Sequence, residues 1–140
     1  MGDAPVRVLV ADDQLPFREA ARDVLGAMNE FELVGEVESG EEAVLAASAL
    51  EPDLILMDVH MSGIGGIEAT RRIVNDRPEA TVILVSSYRP EDLAAAVAEA
   101  GALAFLPKDQ FGVRKLSELW SVRAEPRTPR GKRERPSPAD

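Results

Sequence analysis

Polar side chains follow four of the five short apolar runs in this 140-residue chain. They are Asp12 and Asp13 after the first run, Asp58 after the third, Ser86 after the fourth and Lys108 after the fifth. A carboxylate can act as a nucleophile or bind a cation, an ammonium group can hold an anionic oxygen, and a hydroxyl can donate a hydrogen bond. Phosphoryl transfer needs mainly positioning and charge neutralisation, and this set of groups could supply both.

The apolar runs that carry these residues alternate with helical patterns. The runs predict strands at 6–11, 32–37, 54–57, 81–85 and 103–106. Apolar spacing predicts five helices. The first has Phe17, Ala21, Val24, Leu25 and Met28 on one face, the second covers 40–50, and the third follows the turn at 62–66 with Ile67, Thr70 and Val74 inward. The fourth covers 91–100, and the fifth carries Leu116, Leu119 and Trp120. This alternation predicts an α/β fold, a doubly wound five-stranded parallel sheet with helices on both faces.

The carboxyl ends of parallel strands share one rim of the sheet, where ligands bind. We take the strand order 2-1-3-4-5 from the flavodoxin-like fold, because the sequence itself does not determine it. In that order the first and third strands are neighbours, so Asp12, Asp13 and Asp58 should converge. Two carboxylates about 4 Å apart repel by roughly 4 kcal/mol at an effective dielectric constant of about 20, so a proton, a lysine or a metal must compensate. Ligands that are all oxygen favour Mg²⁺.

This set of residues resembles the receiver domain of two-component response regulators. The spacing of 28 residues from Asp58 to Ser86 and of 22 from Ser86 to Lys108 is similar to that of the NarL/FixJ-type (LuxR-class) subgroup, and the resemblance covers about residues 5–122. It implies a phosphorylation-dependent signalling switch that takes a phosphoryl group from a sensor histidine kinase onto Asp58. Such a domain catalyses its own phosphotransfer and autodephosphorylation, forms an aspartyl phosphate and acts through contacts with a downstream protein, which the sequence does not name.

The resemblance also assigns roles to single residues. It implies that the Asp13 and Asp58 side chains and the His60 backbone carbonyl hold Mg²⁺, with Asp12 acting largely through water. Ser86 would move toward the phosphoryl group, and Phe105 would turn inward behind it as an aromatic switch. The surface formed by the fourth helix, the fifth strand and the fifth helix would carry the signal.

Two loop residues are candidates for control of the phosphorylated state. His60 lies two residues past Asp58, and Tyr88 lies two residues past Ser86. The simpler interpretation of His60 is an exposed loop residue. We hypothesise that His60 and Tyr88 set the lifetime of the aspartyl phosphate by controlling the access of water.

The sequence departs from the family pattern in two places. Met61 is followed by Ser62 instead of the proline that is frequent in the family, which suggests a looser turn. Lys108 is followed by Asp109, so no Lys-Pro cis bond can form. Trp120 is expected to pack the last helix on the sheet, and the alternative is a homodimer contact.

Charge divides the chain into a receiver domain at 1–122 and a tail at 123–140. The net charge is −9, yet the tail carries six Lys and Arg against three Asp and Glu, with four prolines. Its composition predicts a disordered, basic linker. The acidic body repels nucleic acid, and 18 tail residues cannot hold the helix-turn-helix domain that NarL-type regulators usually carry, so direct DNA binding is not expected.

Other classes of protein fit this sequence less well. The chain has no cysteine, no apolar run near the ~18 residues of a membrane span and no secretory signal, so a cytoplasmic protein without membrane contact is expected. A Rossmann enzyme needs Gly-x-Gly-x-x-Gly after the first strand, and an aspartate phosphatase needs a second Asp at position 14, which is Gln. A transcriptional regulator that lacks its helix-turn-helix domain and a scaffold independent of phosphate remain as alternatives.

Overall fold

The computed structural model describes residues 4–88 and 93–124. The strands are β1 (Val6–Ala11), β2 (Phe31–Val37), β3 (Leu54–Asp58), β4 (Thr81–Ser86) and β5 (Ala104–Pro107). The helices are α1 (Leu15–Gly26), α2 (Gly40–Leu50), α3 (Gly65–Asp76), α4 (Leu93–Ala100) and α5 (Val113–Ala124), and a 3₁₀ turn covers Lys108–Gln110. None of the helices in the described ranges is long and apolar enough to cross a membrane.

The five strands form one parallel sheet in the order β2-β1-β3-β4-β5, which confirms the predicted order. Ala11 pairs with Met57 at the end of the β1–β3 ladder, and Ser86 pairs with Pro107 at the end of the β4–β5 ladder. The residues that follow these positions therefore emerge at the same rim. This register is what brings the polar strand ends together.

Apolar residues on the two faces of the sheet form two separate cores. Leu9 of β1 and Ile55 of β3 belong to the core beneath α2, α3 and α4. Val8 of β1 and Leu54 of β3 belong to the core beneath α1 and α5. Strands β3 and β4 are buried along their whole length, because both of their faces are covered by helices. Their continuous apolar sequences follow from this position.

Helix α3 does not bury quite the face that the sequence suggested. Thr70 is fully buried as predicted, but Ile67 and Val74 are only half-buried, and the deepest apolar residues are Ala69 and Ile73. The reason is that α3 contacts both α2 and α4 as well as the sheet. Ile67 and Val74 pack against the core from its edge, so the helix has a wider apolar face than a single stripe.

The last helix packs on the sheet from its first turn, where Leu116 is fully buried, to its final turn. Trp120 is half-buried and its ring lies edge-on to that of Phe31, with centroids 6.0 Å apart. The Arg123 guanidinium lies 4.5 Å from the centre of the Trp120 ring, and its Nε donates to Thr81 Oγ1 at 3.1 Å. Arg123, which the sequence placed in the tail, therefore belongs to the packed helix. Residues 125–140 lie outside the described residues, and the disordered tail stays a prediction.

Candidate functional site

Three carboxylates meet at the rim where β1 and β3 end. One oxygen from each of Asp12, Asp13 and Asp58 lies within 4.8 Å of the others, as the strand order predicted. Asp12 is fully buried, Asp58 is 4% exposed and Asp13 is exposed. Two of the three charges are therefore removed from water, which makes their mutual repulsion strong.

Lys108 supplies part of the compensating charge. The 3₁₀ turn after β5 places its Nζ 2.7 Å from Asp12 Oδ2 and 3.6 Å from Asp58 Oδ1. The side chain is only 13% exposed, and its Nζ lies 5.2 Å from the centre of the Phe17 ring. Among the described residues, one ammonium group faces three carboxylates, which leaves the cluster with an excess of negative charge.

Asp12 is held by its own turn and by α1. Its Oδ1 accepts a hydrogen bond from the Gln14 backbone N–H at 2.8 Å, and its carbonyl oxygen accepts one from the Arg18 guanidinium at 2.9 Å. Its Oδ2 lies at ion-pair distance from Lys108, but no donor among the described residues is aligned for a hydrogen bond to it. A buried oxygen in this state can still accept a ligand such as a metal-bound water.

Arg18 also ties this corner of the site to β2. Its Nε lies 3.2 Å from Glu36 Oε1, and Arg22 bonds the same carboxylate at 2.6 Å and 2.9 Å. The Arg22 hydrogen bond, together with the charges of both arginines, lowers the pKa of Glu36 below its usual value. The turn that carries Asp12 is thus connected by ion pairs to the neighbouring strand.

Burial and neighbouring charge raise the pKa of Asp58 above its usual value. Burial is the larger cause, and repulsion by Asp12 adds to it. Lys108 and the His60 backbone N–H, which lies 3.4 Å from Asp58 Oδ1, act in the opposite direction without cancelling the shift. The ionised form of Asp58 is therefore costly in the absence of a cation.

The cluster fits a hard divalent cation. All three side chains offer oxygen, the excess charge is negative, and Asp12 Oδ2 lacks an aligned hydrogen-bond donor among the described residues. Mg²⁺ needs only a few protein oxygens and keeps several waters, so three carboxylates at one rim suffice. The donor set supports the Mg²⁺ predicted from the sequence.

The other predicted site residues lie at or near the carboxyl ends of β3, β4 and β5. Ser86 is fully buried at the end of β4, and its Oγ accepts a hydrogen bond from the Tyr88 backbone N–H at 2.9 Å. The His60 and Tyr88 rings meet edge to face with centroids 5.1 Å apart, and both residues are exposed. Phe105 is half-buried and packs against the core beneath α2, α3 and α4.

Three residues at the site were not assigned a role from the sequence. The Gln14 side chain accepts from Lys108 Nζ at 3.4 Å, and Ser62 donates to Asp13 from both its N–H and its hydroxyl. Gly66 lets the start of α3 approach β3, since a Cβ at this position would overlap the Asp58 carbonyl. The Gly-rich turn at 62–66 was a visible signal for Gly66, whereas Gln14 and Ser62 gave none.

Comparison with known proteins places these features in a family. A model of the response regulator receiver domain matches residues 8–119. The response regulator GacA of Pseudomonas protegens is 39% identical over 103 residues, which are 74% of this chain and 48% of GacA. The transcriptional regulatory protein LiaR of Bacillus subtilis is 40% identical over 103 residues, 74% of this chain and 49% of LiaR.

A solved structure agrees with these sequence relatives. The signal receiver domain of the response regulator NarL from Mycobacterium tuberculosis matches with a TM-score of 0.79 at 26% identity, covering 88% of this chain and 100% of that one. The predicted resemblance to NarL-type receivers is thereby confirmed. The chain spans about half the length of the curated relatives it matches.

Membership in this family has general consequences. Receiver domains bind Mg²⁺ at an acidic pocket, interact with histidine kinases and other partners, and are generally not catalytic enzymes. The Rossmann and phosphatase interpretations are therefore not favoured, nor is the regulator that has lost its helix-turn-helix domain. From the match over residues 8–119 and the sheet order, the chain belongs to the receiver domain family of two-component response regulators.

Proposed function

We propose that Asp58 accepts a phosphoryl group from a sensor histidine kinase and that this modification switches the protein between two signalling states. The observation that carries the proposal is the meeting of three carboxylates and the Lys108 ammonium at the rim where β1, β3 and β5 end. Carboxylates this close together repel one another, and a cation and the Lys108 ammonium reduce that cost. The same two positive groups can bind the oxygens of an incoming phosphoryl group.

In this proposal the residues that hold Mg²⁺ are the Asp13 and Asp58 carboxylates and the His60 backbone carbonyl, with Asp12 acting through water. When bound, Mg²⁺ neutralises charge on the phosphoryl oxygens. The structure supports this assignment through the proximity of the three carboxylates. Asp12, with Oδ1 bonded to Gln14 and Oδ2 next to Lys108, is suited to a contact through water.

The proposed chemical step joins Asp58 to phosphorus. A carboxylate oxygen of Asp58 attacks the phosphorus of a phosphohistidine, the new O–P bond forms, the N–P bond breaks, and the electron pair of that bond returns to the imidazole of the kinase. Lys108 lies 3.6 Å from Asp58 Oδ1 and can bind an oxygen of the transferred group. Autodephosphorylation is the attack of water on the same phosphorus, with the Asp58 carboxylate as leaving group.

The switch is proposed to start at Ser86. Its Oγ accepts from the Tyr88 N–H, and as a hydroxyl it can still donate its proton to a phosphoryl oxygen. That bond would draw the end of β4 toward Asp58 and favour an inward position of Phe105, which already packs against the core. The surface of α4, β5 and α5 would then present a changed shape to the downstream protein.

We infer that the contact between His60 and Tyr88 limits water access to the aspartyl phosphate. The rings lie edge to face at 5.1 Å and join the loop after β3 to the loop after β4. Because each ring holds the other, His60→Ala and Tyr88→Ala should each speed the loss of phosphate severalfold. Decay rates from intact mass spectra over time would test this, and unchanged rates in both variants would remove these residues from the account.

Labelling with a small phosphodonor tests the proposed function. Incubation with acetyl phosphate and Mg²⁺ should add one phosphoryl group per chain, seen as a single mass shift. Hydroxylamine should release that group as inorganic phosphate and leave a hydroxamate on the acceptor. Asp58→Asn should take up none, and chelation of Mg²⁺ should abolish labelling of the wild type. Full labelling of Asp58→Asn would show that the acceptor is a different residue.

A further inference from the structure

The loop between β3 and α3 makes a direct contact with a carboxylate of the site. The Ser62 backbone N–H donates to Asp13 Oδ2 at 3.2 Å, and the Ser62 hydroxyl donates to the same oxygen at 2.9 Å. The two residues are 49 positions apart in the chain. The contact therefore joins the turn after β1 to the loop after β3.

Of the three acidic residues, Asp13 has the greatest need of a contact that fixes its side chain. Asp12 and Asp58 are buried at the strand ends, where packing limits their rotamers, whereas Asp13 is exposed. An exposed side chain loses rotamer freedom when it binds a cation, and that loss weakens binding. Two hydrogen bonds from Ser62 fix the Asp13 side chain before any ligand arrives, and they leave Oδ1 clear of Ser62.

Ser62 is itself held in place from the opposite side. Its carbonyl oxygen accepts from the Gly40 N–H at 3.1 Å, and it forms a parallel bridge with Ser39, the residue that caps α2. Two residues further on, the Ile64 N–H donates to Glu41 Oε1 at 3.1 Å. The hydroxyl donor thus stands on a loop that is anchored to the start of α2, where the sequence had suggested a looser turn.

We propose that Ser62 is a positioning residue that orients Asp13 for the divalent cation and so raises the affinity of the site for Mg²⁺. The inference rests on the proposed function, because it takes Asp13 as a metal ligand. Loss of a group that orients a metal ligand typically costs about 10–100-fold in metal affinity. Ser62→Ala removes the hydroxyl bond but keeps the backbone bond, so a loss near tenfold is expected. If Ser62 instead competed with the cation for Asp13, Ser62→Ala would bind Mg²⁺ more tightly.

Calorimetric titration with MgCl₂ of the phosphate-free protein tests this inference. Ser62→Ala should weaken Mg²⁺ binding about tenfold, while Ser62→Thr, which keeps a hydroxyl, should bind close to the wild-type level. Ser48→Ala, an exposed serine on α2 far from the rim, is the matched control and should leave affinity unchanged. The melting temperature in EDTA should be the same for all four proteins, which separates a metal effect from a folding defect.

The possible outcomes distinguish this inference from the proposed function. Equal or tighter Mg²⁺ binding by Ser62→Ala overturns the positioning role, and so does a Ser62→Thr variant as weak as Ser62→Ala. A wild-type protein that binds no Mg²⁺ overturns the metal site of the proposed function itself. The positioning role is supported by weaker binding in Ser62→Ala together with recovery in Ser62→Thr.

Discussion

At the residue scale, Asp58 combines burial with a second carboxylate nearby, and both raise its pKa. Asp12 interacts with the same lysine, so Lys108 cannot fully neutralise either acid. The site is therefore strained electrostatically until a cation or a phosphoryl–Mg²⁺ pair occupies it. In the proposed function, this strain, more than any single hydrogen bond, would make the rim responsive to phosphorylation.

The charge on Asp58 should reduce the stability of the metal-free protein. Asp58→Asn removes the buried charge and its repulsion by Asp12 while keeping the size of the side chain. We expect it to raise the free energy of unfolding in EDTA at pH 7.5 by about 1–2 kcal/mol, a fraction of the repulsion at this distance because Lys108 offsets the rest. Urea denaturation followed by circular dichroism would measure the change.

The pH dependence of that gain follows from the direction of the shift. Because the pKa of Asp58 is higher in the folded than in the unfolded protein, the folded state binds more protons between the two values, and stability falls as pH rises through that window. The gain in free energy of unfolding from Asp58→Asn should be complete above the pKa of Asp58 in the folded protein. It should shrink as pH falls toward the usual pKa of an aspartate. Asp23→Asn, an exposed change on α1, is the control. A gain that grows toward acid pH would contradict the assigned shift.

Gly66 is needed for the close approach of α3 to β3, which carries Asp58. A Cβ there would overlap the backbone carbonyl of Asp58, which cannot move without displacing β3. We expect Gly66→Ala to lower the free energy of unfolding by about 2 kcal/mol or more and to weaken Mg²⁺ binding by shifting Asp58. Chemical denaturation and metal titration would measure the two effects.

Gly26→Ala provides the matched comparison for this change. Gly26 ends α1, and a Cβ there would meet no described atom within 4 Å outside its own neighbourhood. Because alanine lowers the conformational entropy of the unfolded chain, the free energy of unfolding of this variant should rise by about 0.4–1 kcal/mol. Equal effects of the two glycine substitutions would mean that the contact at Gly66 does not matter.

At the element scale, the strands could be predicted to within one residue, with β5 shifted from 103–106 to Ala104–Pro107, and the loops could not. Buried parallel strands read as continuous apolar runs, so β1 was bounded correctly from its sequence, and β3 and β4 proved longer by only the polar residue that follows each run. The order of the strands came from the family of folds, since pairing between β1 and β3 leaves no local signal. The bond from Ser62 to Asp13 was not foreseen, because it joins two loops whose conformations depend on tertiary packing.

The end of α2 offers a test of backbone strain. Glu51 caps this helix in the left-handed region with φ 52°, where a side chain is unfavourable, and Arg7 donates to its carbonyl. Glu51→Gly should raise the free energy of unfolding by about 0.5–1 kcal/mol, because glycine adopts this conformation without cost. Its carboxylate is 68% exposed and 3.8 Å from Arg77, an ion pair too exposed to matter much.

Glu51→Ala is the control for this prediction. It removes the same carboxylate but keeps a Cβ at positive φ, so its stability should stay close to that of the wild type. Urea midpoints for the three proteins give the comparison at one temperature. If alanine stabilises as much as glycine, the gain comes from the lost charge and not from relief of the backbone.

At the scale of the whole molecule, the sheet connects the acceptor rim to the surface proposed to signal. Ser86 of β4 pairs with Pro107 of β5, and Lys108 follows directly, so the end of β4, the end of β5 and the cluster at Asp58 are in direct contact. A phosphoryl group that binds both Ser86 and Lys108 would contact both strand ends at once. Such a ligand shifts the equilibrium between two conformations of the protein by the difference between its binding free energies for them.

The phosphoryl group is proposed to reside on Asp58, and chemical trapping followed by peptide mapping locates it directly. After labelling with acetyl phosphate and Mg²⁺, borohydride reduces an aspartyl phosphate to homoserine. Trypsin then separates residues 23–71, which contain Asp58, from residues 8–18, which contain Asp12 and Asp13. Homoserine at position 58 alone is the predicted result. Homoserine at position 12 or 13, or a labelled protein with unmodified Asp58, would contradict the account.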